Sequence, residues 1–328
     1  MLNLFRNNNI FALIFALLFL VLLRLSPFLQ TLPIDLNTNA PLAQFLFDWF
    51  KSFNDYYYFS IISASVLVFA QAWLLNHIVV QHSILITDTF LPGLLFIVLN
   101  SLYPAQMFLS PQLIANLFII FMFQRLCFLY EAEKPLYFVL DGGLYLGMAV
   151  LLNYDTLIYL PFILISVVLM TYFNIRYLLV SVFGILLPLY LLGVTFFMFD
   201  SLNELQIIVN NSLQRQYINE LSINWSKIFP WILVAAVVLI SGISLQANYF
   251  KNKVKTRRIL FTVALFIIIS FCIVVIEDHN IVFALCYLTV PTSIVMANYF
   301  ISKKLFYLKE AVFFSLIIAS VLYQYIIH

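Results

Sequence analysis

Residues 24–56, RLSPFLQTLPIDLNTNAPLAQFLFDWFKSFNDY, separate two apolar runs at 10–23 and 57–76, and their reading decides the fold. In the second half, Leu42, Phe45, Leu46, Trp49, Phe50 and Phe53 recur at i, i+3, i+4, i+7, i+8 and i+11, one face of a helix. Gln44, Asp48, Lys51 and Ser52 fall on the other side, Asn39 is placed to cap the start, and Pro41 suits the first turn. A helix with Phe and Trp on one face and charge on the other lies in a membrane interface. The run at 10–23 resembles a signal sequence, but Arg24-Leu25-Ser26-Pro27 carries no small-residue cleavage pattern. The expectation is an uncleaved first span ending near residue 28, with Arg24 snorkelling to the surface, followed by an outer loop that ends in an interfacial helix.

The rest of the chain fits that reading. Of 328 residues, 64% are hydrophobic and 9% charged, against about 25% charged in a soluble domain. The apolar runs are long and continuous, which excludes the alternating short segments of an outer-membrane barrel. The fold class is therefore all-α, a polytopic helical membrane protein. Eleven candidate spans follow, at 10–28, 57–76, 84–100, 112–130, 136–153, 157–173, 177–199, 229–248, 259–276, 281–301 and 311–327. With the N-terminus inside, the inner segments hold twelve Lys and Arg and the outer segments four, namely Arg24, Lys51, Arg215 and Lys227. That bias predicts N-in and C-out. The implied organisation is a seven-span module at 1–199 containing the first outer loop (24–56), an outer amphipathic helix at 200–228, and a four-span module at 229–328. The outer helix has its own signature. Ser201 with Glu204 reads as a capping box, and Leu205, Val209, Leu213, Tyr217 and Leu221 form a stripe.

Several function classes fall away by counting. The seven glycines make neither a Walker A loop nor a GxGxxG turn, so no nucleotide is expected, and no nucleic acid either, since the basic run at 251–258 reads as a topology determinant. His77 and His82 lie at one face and His279 and His328 at the other, so no metal site is expected. Cys127, Cys272 and Cys286 lack CxxC spacing and read as buried thiols in apolar spans. Near the inner surface, Asp88, Arg125 and Asp141 form a predicted structural intramembrane ion cluster, because an unpaired carboxylate there costs up to about 2.5–3.5 kcal/mol. Gly143 and Gly147 have the spacing of close helix packing.

Nine acids and four bases give the outer face a net charge of −5. Among those acids Asp35 stands alone in an apolar loop, flanked by Leu32-Pro33-Ile34 and Leu36. Such surroundings raise a carboxyl pKa and suit a general base. Arg24, eleven residues away, is a candidate to hold either Asp35 or a lipid phosphate.

Three segments, FLPGLLFIVLNSLYP (90–104), LSPQLIANLFIIFMFQRL (109–126) and DGGLYLGMAVLLNY (141–154), complete a resemblance. Together with the seven-span frame and its acid-bearing first outer loop, they are similar in cadence to the GT-C superfamily of membrane glycosyltransferases over residues 1–199. The cadence also resembles an uncharacterised bacterial multi-pass membrane family. The GT-C resemblance implies a polyprenyl-phosphate-linked sugar donor and envelope glycan assembly at the outer face of a bacterial inner membrane. It implies Asp35 as base towards the acceptor, Arg24 and Arg215 on the lipid phosphate, and Trp49 and Tyr56–Tyr58 at the entry. The second outer loop, 101–111, lacks the ionisable residue many members carry there. Two other readings stay open beside the enzyme. One is a non-catalytic scaffold or accessory subunit with protein partners in an envelope complex, and the other is a transporter or lipid flippase around Arg125, Asp88 and Asp141.

Overall fold

The computed structural model describes residues 5–6, 9–29, 40–52, 55–203, 206, 225–247, 253–276, 281–301 and 306–326. All regular structure among them is helical. In chain order the helices are α1 (Ile10–Leu23), α2 (Ser26–Leu29), α3 (Pro41–Lys51), α4 (Tyr56–Gln81), α5 (Leu91–Leu99), α6 (Pro111–Phe128) and α7 (Pro135–Leu152). They continue with α8 (Leu160–Met170), α9 (Ile175–Met198), α10 (Trp225–Ala247), α11 (Val254–Ile276), α12 (Ile281–Ile301) and α13 (Phe306–Ile326). Among the described residues, seven helical segments are long and apolar enough to cross a membrane. These are Ile10–Leu29, Tyr56–Gln81, Pro111–Glu131, Pro135–Leu152, Ile175–Met198, Val254–Ile276 and Ile281–Ile301. Shorter apolar helices run over Tyr154–Met170 and Trp231–Gln246.

The third expected span takes another form. Only Leu91–Leu99 of 84–100 is helical. At 1.5 Å per residue that is about 14 Å, half the roughly 30 Å of a hydrocarbon core. The chain nevertheless travels from one end of the bundle to the other. Phe90 N–H donates to Phe5 O at one end, and Leu109 N–H donates to Ser60 Oγ at the other, both at 2.9 Å. Non-helical backbone at such depth is tolerated only where protein covers it. Here all nine α5 residues are buried, and residues 100–110 are buried too except for half-buried Pro104 and Ala105. Pro104 opens a 3₁₀ turn, Pro104–Met107, that breaks the crossing.

Two helices end on a left-handed residue that is not glycine. Ser83, at φ 48°, follows α4, and the Ser83 and Ile84 N–H groups return to Val80 O and Val79 O, both at 3.0 Å. Asp200, at φ 51°, follows α9 in the same way, with Asp200 N–H to Phe197 O and Ser201 N–H to Phe196 O. These paired bonds satisfy the last carbonyls of each helix. The Ser201 hydroxyl also donates to Phe196 O at 3.3 Å, so Ser201 helps close α9, and the chain turns helical again at Leu202. Glu204 and the stripe from Leu205 to Leu221 lie outside the described residues.

The close packing expected at Gly143 and Gly147 falls between α7 and α9, which run parallel. A Cβ on Gly143 would collide with the Ser181 carbonyl, and one on Gly147 would stand 2.6 Å from Ile185 O. Gly184 returns the contact, 2.6 Å from Leu140 O. The α9 window is only 22% buried and that of α12 is 83% buried, so α9 faces the surroundings while α12 is the central post.

Both halves of the chain share one apolar core. Bonds between them include Asn100 Nδ2 to Thr289 Oγ1 (2.9 Å), Asn153 Nδ2 to Tyr287 Oη (3.0 Å) and Gln324 Nε2 to Ser101 O (2.6 Å). The bundle has two distinct ends. At one, Arg6 donates to Phe300 O, Lys255 pairs with Glu131 at 2.8 Å, and Arg258 donates to Leu169 O. We call this the basic end. Of the three thiols, Cys127 and Cys286 are buried, whereas Cys272 is exposed on α11, contrary to expectation for that residue. An apolar span turns one face to lipid, so hydrophobic surroundings in sequence do not place a thiol inside.

Candidate functional site

At the end opposite the basic one, α3 has three faces. Ala40, Ala43 and Phe47 are buried, and the helix packs against α7. Phe45 (72% exposed) and Trp49 (58%) point outward, while Asp48 pairs with Lys51 at 3.7 Å on the third face. An outward face of Phe and Trp is what an interfacial helix presents to lipid. Phe47 sits outside the sequence stripe, yet it is the residue that anchors the helix. Its signal was the small residue four positions earlier, Ala43, which clears room for a ring to dock. The N-cap is Ala40, with no side-chain cap, and Pro41 occupies the first turn. Asn39, expected as the cap, lies outside the described residues.

Arg24 ends α1 and turns inward, against the expectation that it snorkels to a lipid phosphate. It is 1% exposed. Its Nε donates to Ser101 Oγ (3.4 Å), one terminal nitrogen to Ser65 Oγ (3.5 Å), and the other to Asn100 O (3.2 Å) and Gln106 O (3.3 Å). The reason lies in the broken crossing. Residues 100–106 have left helical geometry, so their carbonyls need donors, and a guanidinium offers five in one plane. All four acceptors are neutral, and no described carboxylate lies within ion-pair distance of Arg24. Among the described residues, its positive charge is therefore solvated by dipoles alone.

Around that cation lies a buried polar layer. Gln106 Nε2 reaches Val282 O at 2.5 Å, and Gln71 Nε2 reaches Leu113 O at 2.7 Å. Among the described residues, other atoms in the layer have no partner: Asn100 Oδ1, Gln106 Oε1 and Gln71 Oε1. The Asn116 amide lies within hydrogen-bond reach of the Cys286 thiol, which also lies within electrostatic reach of Arg24. Unpartnered polar atoms in an interior each cost about 1–3 kcal/mol, so a cluster of them marks a place kept polar against stability. Sequence reading missed Asn100, Ser101, Gln106 and Asn116. The available signal was the run NSLYPAQMFLSPQ (100–112), polar enough for an outer loop and thus placed in solvent, whereas the fold draws it inside.

The other expected residues fall elsewhere. Asp35 and Arg215 lie outside the described residues. Arg125 Nε stands 3.4 Å from Asp141 Oδ2, with side chains 32% and 38% exposed. Its guanidinium lies 5.9 Å from the ring centroids of Phe138 and of Tyr145. Asp88 does not join them. Because α5 begins only at Leu91, Asp88 sits in an exposed loop and needs no buried cation. At the basic end, burial and the nearby Lys255 push the His82 imidazole down to about 4, so it is neutral near pH 7 and packs edge-on against Phe128. Among the described residues, no three His, Cys, Asp or Glu side chains gather as a metal site.

No family model matches the chain, and neither a curated protein nor a solved structure gives a match.

Proposed function

We propose that this is a GT-C-like membrane transferase that takes a sugar from a polyprenyl-phosphate carrier at the end of the bundle opposite the basic one. The proposal assumes eleven crossings with the N-terminus inside, in the inner membrane of a bacterium. Two features support that topology: the polarity of the helix ends, with Arg6, Lys255 and Arg258 together, and the end-to-end passage of residues 82–110. One observation carries the functional reading: Arg24 is a buried cation that no described carboxylate neutralises, and both flanks of the first outer segment are anchored. Before that segment, Tyr57 Oη donates to Pro27 O at 2.8 Å; after it, α3 docks through Phe47.

In this reading Asp35 accepts the proton of an acceptor hydroxyl as that oxygen attacks the anomeric carbon. The bond from that carbon to the carrier phosphate oxygen breaks, and polyprenyl phosphate leaves with the electron pair. Arg215 meets the phosphate directly. Arg24 acts from within: at about 10 Å and an effective dielectric near 20, a unit charge attracts a phosphate by about 1.5–2 kcal/mol. Phe45 and Trp49 hold the rim at headgroup depth.

The test is Asp35→Asn, which keeps the side chain's size and removes its basicity. In reconstituted vesicles containing a polyprenyl-phosphate-linked hexose, release of polyprenyl phosphate should drop at least about a hundredfold, as expected for removal of a general base. Undiminished release, or an unchanged envelope glycan in cells carrying the variant, rejects the enzyme.

A second reading, translocation of an anionic lipid, is favoured by the broken third crossing, since discontinuous spans with free polar groups mark transporter sites. Vesicle flux that persists in Asp35→Asn and disappears in Arg24→Gln would select it. Absence of flux from the unmodified protein would end it.

A further inference from the structure

At the basic end, a groove of about 580 Å³ opens between the first turns of α7 and α9. It lies next to the glycine seam. At Gly143, Gly147 and Gly184 the two backbones touch. One turn towards the basic end, Leu136, Leu140 and Val180 line the groove with hydrocarbon. Lys134 and Arg176 stand at its rim. Both are exposed, and neither side chain has a hydrogen-bond or ion-pair partner among the described residues. Glu133 is the one acid in the lining, so the mouth carries net positive charge.

The surroundings of the groove suit headgroup depth. Exposed aromatics ring this end, with Tyr137 at 67%, Tyr172 at 83% and Phe173 at 75% exposure, the pattern of side chains anchored where hydrocarbon meets water. Because α9 is the least covered of the spanning helices, the groove can be entered sideways from lipid.

We propose that this groove binds the phosphate headgroup of an anionic glycerophospholipid in the leaflet at the basic end. Lys134 and Arg176 hold the phosphate, Tyr137 and Tyr177 flank the glycerol, and the apolar floor takes the upper acyl carbons. Basic pockets between spanning helices have the chemistry for such headgroups, and Arg offers a phosphate two parallel donors. The site is independent of the transfer reaction proposed for the opposite end.

The experiment reconstitutes the full chain in nanodiscs of phosphatidylcholine with or without phosphatidylglycerol, and measures retained lipid by native mass spectrometry together with the thermal midpoint. The unmodified protein should retain phosphatidylglycerol about tenfold over phosphatidylcholine, a difference of about 1.4 kcal/mol. It should also melt higher with phosphatidylglycerol present. Lys134→Gln combined with Arg176→Gln should bring that preference to unity. Leu140→Trp, which fills the floor and leaves both cations, should also abolish it. Lys253→Gln, on the same face and outside the groove, should leave it intact.

Equal retention in the unmodified and double-variant proteins overturns the proposal. So does an equal loss in Lys253→Gln, because the preference would then be bulk attraction to a basic surface. Displacement of the lipid by millimolar inorganic phosphate overturns it in favour of a soluble anion. The Leu140→Trp arm keeps the proposal testable if the double variant fails to fold.

Discussion

The protein joins its helices by opposite means in two places. Between α7 and α9 it removes side chains, and Gly143, Gly147 and Gly184 let backbone meet backbone. Around α5 it inserts polar side chains, and Arg24, Gln71, Gln106 and Asn116 fill the space beside a broken crossing. The seam joins backbone to backbone, and the Ser181 hydroxyl beside it is satisfied within its own helix by Leu178 O. The polar layer carries a charge and several amide atoms without partners. In a membrane, where apolar surfaces gain little from burying each other, close contact and hydrogen bonding are the main sources of helix association. The seam uses the first at no cost in desolvation. The layer uses the second at a cost, which points to a role beyond holding the bundle together.

Substitutions should separate the two regions. Gly184→Leu should have the largest effect, because a Cβ there stands 2.6 Å from Leu140 O and 3.0 Å from Gly143 Cα. Backbone atoms cannot swing aside, so we expect a loss of about 3 kcal/mol, at the upper end for overpacking, measured by steric trapping or denaturation in bicelles. A change under about 0.5 kcal/mol, the range of an ordinary surface substitution, would mean that the seam opens freely.

Arg24→Met should cost less, about 2 kcal/mol, since it orphans the Asn100 and Gln106 carbonyls while relieving the burial of a charge. A variant as stable as the unmodified protein would show that the cation is dispensable for folding and serves the site alone.

Asn116→Leu should go the other way. Replacing a fully buried amide whose hydrogen-bonding neighbour is only the weak Cys286 thiol by hydrocarbon of similar size should stabilise by about 1 kcal/mol. Destabilisation would reveal that a bound group normally meets Asn116, and would strengthen the case for ligand entry to the layer. Gly193→Ala should have the smallest effect. No atom lies within 4 Å of a Cβ added there, so only helix propensity changes, a gain of about 0.5–1 kcal/mol. A loss would indicate that something packs on the open face of α9.

Much of the frame was legible because its signals are local. The apolar runs, the basic clusters, the interfacial pattern of 42–53 and the GxxxG spacing each lie within a few helical turns. The polar layer was not legible for the opposite reason. Arg24 looked like an interfacial cation because it ends an apolar run, and 100–112 looked like an outer loop because it is polar and contains two prolines. Their interior positions come from partners far along the chain. Thr289 lies 189 residues from Asn100, and Gln324 lies 223 from Ser101. Asp88 failed in the same way: its depth was inferred from an apolar run taken to start at residue 84, and the helix starts only at Leu91, beyond Asp88.

What the sequence determined by itself is the class of solvent this chain lives in and the rough course of its spans. Transfer of apolar helices to hydrocarbon is additive over residues and needs no tertiary partner. What only the tertiary structure decided is where the charges ended up. Whether Arg24 faces lipid or interior, and whether Asp141 or Asp88 meets Arg125, depends on which distant carbonyls and side chains arrive beside them. No local pattern encodes that, because the electrostatic cost of a buried charge is set by the whole set of dipoles packed around it.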